Sequence, residues 1–285
     1  MRYKETDAVS HENIPMTDNT HITAAQFREL AHMVYQESGI YLPESKLGLL
    51  KARIAKRLRV LRIDTASEYI SLIRGDAIEF GNFIDAVTTN HTFFFRENSH
   101  CEFILKHMDN SRHIDIWSAA CSSGEEPYTI AVQLMNRSFR FSIHASDISN
   151  SVLQIARNGI YPIERAQKVP PRILQKYFQK GHNKYRGHIR VVDEVKKRVS
   201  FAKHNLITDS PPQRFDIIFC RNVMIYFDRN TRQKVSNTLR NAMKSNGYLI
   251  VGMSESLRGI EHGLRCVAPG VYQDGRAYMS RKRTL

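Results

Sequence analysis

Apolar residues in the first ninety positions recur every three or four residues, whereas beyond residue 111 they gather into short runs separated by helical segments. In the first region Phe27, Leu30, Ala31 and Val34 share one helical face. Thr23 and Gln26 have the spacing of a capping box at its start, and Gly39 marks its end. A second helix, beginning past Pro43, places Leu47, Leu50, Ile54, Leu58 and Leu61 in one stripe. Around that stripe stand Lys51, Arg53, Lys56, Arg57, Arg59 and Arg62. Two shorter helices are predicted at 69–73 and 80–87, broken at Gly75 and Asp76.

The second region reads as strands at 114–118 and 141–146 alternating with helices at 127–135 and 152–156, the repetition of a parallel doubly wound α/β sheet. The run FDIIFC at 215–220 has the composition of a strand buried on both faces, and it stops abruptly at Arg221 and Asn222. A crossover helix to about residue 244 and a strand at 248–251 follow, then a closing hairpin over 264–279 around Gly270 and Gly275. Between Gly159 and Ser200 lies material that a minimal doubly wound fold does not need. Within it, 188–192 and 199–202 are predicted to pair as strands. The predicted organisation is a mobile polar tail at 1–20, a helical domain at 21–88, a linker at 89–110 that contributes to the site, and an α/β domain at 111–285 with a β-subdomain insertion at about 160–200.

Charge changes this picture most. The chain has 285 residues and a formal net charge of +14, which calls for an acidic partner: nucleic acid, an anionic membrane or an acidic protein. The second helix carries almost no acid against its six basic residues, and Arg53, Arg57 and Arg59 are its candidate docking residues. Cys101, Cys121, Cys220 and Cys266 stand far apart without a CxxC pair, which suits reduced thiols. No histidine spacing suits a metal, and none is expected. Apolar runs are too short to span a bilayer and the N-terminus lacks an apolar signal core, so a cytoplasmic protein without membrane insertion is expected.

Candidate chemistry sits at the strand ends. The first strand-to-helix turn, AACSSGEE at 119–126, has one glycine and lacks both the dinucleotide fingerprint and the phosphate loop. Its acids would repel a pyrophosphate. Glu126 follows the first strand and Asp147 the second, where a carboxylate can accept hydrogen bonds from two ribose hydroxyls. Glu126 can meet an ammonium group. In TTNHTFFFRE, at 88–97, Arg96 is held beside three phenylalanines and can bind a carboxylate. A nucleoside with an amino-acid end, S-adenosylmethionine (SAM), satisfies all three. The plainer role for Glu126 and Asp147 is to complement helix dipoles. GMSES at 252–256 misses the nucleophile elbow of serine hydrolases by its final glycine.

TTNHTFFFRE, WSAACSSGEEPYTIA, ASDIS, HNL and CRNVMIYF, in this order, resemble the successive motifs of the chemotaxis-receptor methyltransferases, the CheR family. The resemblance runs from about Phe27 to near the C-terminus. It implies a SAM-dependent methyltransferase sheet behind an all-helical domain, with cofactor contacts at Asn90, Thr92, Arg96, Glu126, Asp147, Asn205, Leu206, Asn222 and Val223. It also implies Arg96 and Tyr226 beside the reacting carboxylate, a glutamate of a receptor's acidic helices, with S-adenosylhomocysteine as product. In some members the β-subdomain docks a receptor's C-terminal peptide. Only Gly181 and Gly187 lie in that region, so tail dependence stays open. A nucleic-acid methyltransferase and a SAM-binding signalling module remain as other classes, although no aromatic and basic strip for stacking single-stranded bases is evident.

Overall fold

The computed structural model describes residues 22–274; the predicted tail at 1–20 and the hairpin's end around Gly275 lie outside them. Four helices come first: α1 (Ala24–Ser38), α2 (Leu47–Leu61), α3 (Ala66–Gly75) and α4 (Ala77–Val87). Thr23 and Gln26 form the reciprocal capping box, and Gly39 closes α1 with φ +70°. Asp76 ends α3 and caps α4 by accepting from the Ile78 and Glu79 amides. Leu30, Val34, Leu50, Ile54, Tyr69 and Phe83 fill the core between them.

The basic face of α2 differs from its predicted role as an open docking surface. Arg57 is taken up by Glu79 of α4, and Arg53 donates through Nη1 to the carbonyls of Ala86 and Thr88. Arg59 is exposed and leans back on the Ala55 carbonyl of its own helix. The acid that α2 itself lacks is supplied by α4, which sequence distance concealed.

Helix α5 (Ser99–His107) lies inside the predicted linker and leads to β1 (His113–Ala119). The chain continues through α6 (Glu125–Asn136), β2 (Arg140–Asp147), α7 (Asn150–Asn158), β3 (Ile160–Pro162), α8 (Pro171–Tyr177), β4 (Phe178–Lys180), β5 (His188–Val191), α9 (Asp193–Lys196) and β6 (Val199–Lys203). It closes with β7 (Phe215–Cys220), α10 (Arg229–Asn241), β8 (Met243–Ile250), β9 (Leu264–Ala268) and β10 (Val271–Asp274). Seven strands form the main sheet in the order β6-β2-β1-β7-β8-β10-β9, all parallel except that β10 runs antiparallel to both β8 and β9. Every residue of β7 is buried, as expected of a central strand covered on both faces.

The insertion carries a separate sheet, β3-β5-β4. Here the predicted pairing of 188–192 with 199–202 is corrected. His188–Val191 is the centre of the small sheet, whereas Val199–Lys203 pairs in parallel with β2 as an edge of the large one. Short alternating segments reveal a strand but not its partner. Phe94 of the 88–97 segment packs edge-on against Tyr161 and Phe178 at 5.0 and 5.1 Å, so it fastens that segment to the small sheet.

The two domains meet along α1. Gly39 has no room for a side chain: a Cβ there would lie 2.7 Å from Ile207 and 2.8 Å from Thr231. Beside it Tyr35 donates to Asp228, Asn205 Nδ2 donates to the Glu37 carbonyl at 2.6 Å, and Ile40 bridges Phe227. Among the described residues no helix is long and apolar enough to cross a membrane.

Candidate active site

The sheet order reverses at β1, with β2 on one side and β7 on the other, and the carboxyl ends of these strands open on one cavity. All the predicted cofactor residues line it. Asn90, Thr92 and Arg96 come from the 88–97 segment, Glu126 from α6, Asp147 from the end of β2, Asn205 and Leu206 from the turn after β6, and Asn222 and Val223 from the turn after β7. Tyr226 lines it as well. Ala120, Ser122, Gly124 and Asn222 all have positive φ, between 50° and 93°. Such backbone is uncommon away from glycine and concentrates where a surrounding structure enforces it, as at ligand sites.

Asp147 is 7% exposed and accepts from the Ser122 amide at 2.8 Å and the Ser149 amide at 3.0 Å. Burial raises its pKa above the ordinary range, against the pull of those two amides. Glu126 accepts from the Ser118 hydroxyl at 2.7 Å and pairs with Arg221 at 3.3 Å; burial raises its pKa too, with Arg221 opposing. Its neighbour Glu125 turns inward, to Ser123 and Arg165. Arg96 donates to the His91 carbonyl at 2.9 Å, with its guanidinium 6.0 Å from the Phe93 ring centre. Asn205 faces the cavity, but its side chain is engaged by the Glu37 carbonyl and the Ile207 amide.

Four contributions were missed in the sequence. Arg221, with its side chain 3% exposed, joins Glu97 at 3.1 Å to Glu126 at 3.3 Å and also donates to the Arg96 carbonyl. Glu97 further accepts from Asn222 Nδ2 and the Met253 amide. Burial alone would raise its pKa, but Asn222, Arg221 and that amide together hold it below the ordinary value. Glu255, in the rejected GMSES motif, accepts from the amides of Asn222 at 2.7 Å and Gly252 at 2.6 Å, tying β8 to the turn after β7. A Cβ on Gly252 would come within 2.6 Å of Asn222 Nδ2 and 2.7 Å of Glu255, so a side chain there would displace both groups. Ser38 and Ile40 of the helical domain complete the wall. The adjacency of Arg221 to Asn222 was the one signal for the first of these. The others depend on partners that are far away in sequence.

The wall also holds His204, 7% exposed, whose Nε2 is buried without a hydrogen-bond partner among the described residues. Burial lowers its pKa and keeps the ring neutral near pH 7. Burial pushes the Cys101 thiol up to about 12 and the Cys121 thiol also well up, so neither cavity cysteine is a thiolate nucleophile. Among the described residues no group of His, Cys, Asp and Glu is placed to hold a metal ion. What remains is a cavity with carboxylates at two strand ends, a cationic and hydroxyl-bearing wall at Arg96 and Tyr226, and apolar surface at Leu206 and Val223. This donor set suits SAM, with Asp147 placed to accept from hydroxyls and Glu126 from an ammonium.

Residues 25–88 match the model of the CheR methyltransferase all-alpha domain, and residues 90–271 that of the CheR methyltransferase SAM binding domain. A chemotaxis protein methyltransferase of Borreliella burgdorferi is 39% identical over 90% of this chain and 96% of its own. Those of Salmonella typhimurium and Escherichia coli are each 37% identical, over 87% and 91% of this chain and 89% and 94% of theirs. The chain therefore belongs to the CheR methyltransferase family and carries that family's SAM-dependent methyltransferase fold behind its all-helical domain.

Proposed function

We propose that this protein works in the cytoplasm and transfers the methyl group of SAM to glutamate side chains of chemotaxis receptors. The products are glutamate γ-methyl esters and S-adenosylhomocysteine. One observation carries the reading: a single cavity is lined by Asp147 and Glu126, carboxylates for a nucleoside and an amino acid, and by Arg96 and Tyr226. The relatives' printed names, chemotaxis protein methyltransferase, point the same way.

SAM supplies an electrophilic methyl on a sulfonium. A glutamate carboxylate, with an unperturbed pKa of ~4.3, is already an anion at neutral pH, so the protein has no proton to remove. Its work is to exclude water from the carboxylate and aim it. Arg96 attracts the acceptor by charge and the Tyr226 hydroxyl orients it. Arg96 is already held by His91 and Phe93, which limits how tightly it grips the acceptor and so preserves the oxygen's nucleophilicity.

Docking on acidic receptor helices falls to the exposed basic side of α2. Arg59 belongs to that side, together with Lys56 and Arg62, whereas Arg53 and Arg57 chiefly hold the domain together. Where a receptor has a C-terminal tail, an edge of the β3-β5-β4 sheet is the place for an added strand. The test incubates the protein with methyl-labelled SAM and either receptor-bearing membranes or total RNA. Label on a receptor that mild alkali releases as methanol is the expected result. Stable label on RNA would transfer the basic surface to nucleic acid, and SAM binding without any label would leave a signalling module.

A further inference from the structure

The segment from Thr88 to Glu97 walls the SAM cavity but belongs to no helix or strand, so its carbonyls have no ladder to bond with. Arginines fill that role. Arg53 donates to Thr88 at 2.8 Å, Arg96 to His91 at 2.9 Å, Arg165 to Thr92 at 2.5 Å and Arg221 to Arg96 at 2.7 Å, while the Ser122 hydroxyl takes Asn90 at 3.2 Å. Arg165 and Arg221 arrive from the methyltransferase domain. Arg53 arrives from α2, in the helical domain.

Arg53 is half-buried and has no ion pair among the described residues. Its Nη1 sits between the Ala86 and Thr88 carbonyls at the C-terminus of α4, where the helix dipole favours a cation and an ionised donor strengthens each bond. Thr88 and Asn90 line both the SAM cavity and a groove between α2 and α4, and Arg53 forms part of that groove's wall. Asn90 is tied to Thr88 by a side-chain bond of 3.2 Å. The position of Asn90 at the cavity therefore depends on where α4 ends, and Arg53 fixes that end.

We propose that Arg53 is a positioning residue for SAM binding, acting through the carbonyls of Ala86 and Thr88 on the wall formed by Asn90 and Thr92. This rests on SAM occupying the cavity described above. It gives the basic helix a task inside the enzyme, separate from receptor docking.

The experiment measures SAM affinity by calorimetry, without a receptor, for Arg53→Gln, Arg53→Lys, Arg74→Ala and Asp147→Ala, with circular dichroism to verify folding. Arg74 makes an exposed ion pair with Glu29 in the same domain and serves as the control for a generic loss there. Arg53→Gln is expected to weaken SAM binding about tenfold, the scale of a lost charge-assisted hydrogen bond. Arg53→Lys, which can still donate to both carbonyls, should restore most of it, and Arg74→Ala should bind as the unmodified protein. In turnover assays the Arg53→Gln defect should appear in KM for SAM, with kcat preserved at saturation. Folded Arg53→Gln protein with unchanged affinity overturns the inference, and so does an equal loss in Arg74→Ala. If Arg53→Gln does not fold, hydrogen exchange of the unmodified protein decides: saturating SAM must slow the amides of 86–90, where Arg53 holds the end of α4, and unchanged exchange there overturns the inference. Unimpaired binding by Asp147→Ala would instead show that SAM lies elsewhere, which removes the premise along with the inference.

Discussion

Arg57 grips both carboxylate oxygens of Glu79, Nε to Oε1 at 2.9 Å and Nη2 to Oε2 at 2.5 Å, and so locks α2 to α4. The Glu79 side chain is 5% exposed and also accepts from Tyr69 and Asn82, so its charge is fully engaged within the helical domain. Removing Arg57 leaves the Glu79 carboxylate buried without a counter-charge. Arg57→Ala is therefore expected to lower stability by about 3 kcal/mol, at the low end for a broken buried pair because Arg57 keeps some solvent contact. Urea denaturation measures it, and a loss below about 0.5 kcal/mol would mean the pair behaves like an ordinary surface bridge.

Acid should unfold the protein through the same kind of group. Burial alone would raise the Glu79 pKa, but hydrogen bonds from Arg57, Asn82 and Tyr69 hold it below the usual range. For Asp216, burial is likewise outweighed by bonds from Arg112, the Asp115 amide and Lys244. A carboxylate with a depressed folded pKa contributes stability that is present above its unfolded pKa and is lost as pH falls through the folded value. Stability should therefore decline from about pH 4.5 downward, through the interval below the ordinary carboxylate pKa values. Denaturant midpoints measured between pH 7 and pH 3 trace the loss; a flat profile would contradict these shifts.

Arg221→Met would strip the common partner from Glu126, which lines the cavity, and from Glu97 behind Arg96 in the chain. Left unpaired, they repel one another and release the turn at Asn222. SAM affinity should fall by at least tenfold, while Glu126→Gln, which removes the repulsion but also the partner proposed for SAM's ammonium, should weaken SAM binding with little loss of stability. Calorimetry beside thermal melts separates the two outcomes.

Tyr226→Phe tests acceptor orientation. With the hydroxyl gone, kcat should drop about tenfold, the scale of one orienting hydrogen bond, and SAM affinity should hold. Unchanged turnover at saturating receptor would remove the tyrosine from the chemistry.

Phe94→Ala should cost about 3–5 kcal/mol, the usual range for emptying a buried aromatic site. Its contacts with Tyr161 and Phe178 also predict faster proteolysis of the small sheet, which limited digestion would reveal.

Local signals in the sequence translated well. The Thr23 and Gln26 capping box, the left-handed Gly39 and the break at Gly75 and Asp76 each depend on a few adjacent residues, and each is present. Asp147 and Glu126 were legible because a strand end followed by an acid places that acid at the sheet's rim. Glu97, Arg221 and Glu255 were not, since their meaning lies in pairings across 124 and 33 residues. The strand at 199–203 was found without its partner, because alternation specifies a face and not a neighbour. The charge of α2 was read as surface for the same reason: Glu79 and the carbonyls after Ala86 come from another helix.

The cavity proposed for SAM is lined by Ser38, Ile40 and Thr88 as well as by residues from Asn90 onward, so the seam between the two family domains runs through it. The two domains are thus poor candidates for independent exchange. A catalytic half transplanted behind a different helical half inherits an unfinished pocket, and its cofactor affinity becomes a property of the match between the halves. Substitutions at positions 38–40 and 88–90 should therefore have to change together when such chimaeras are selected for function.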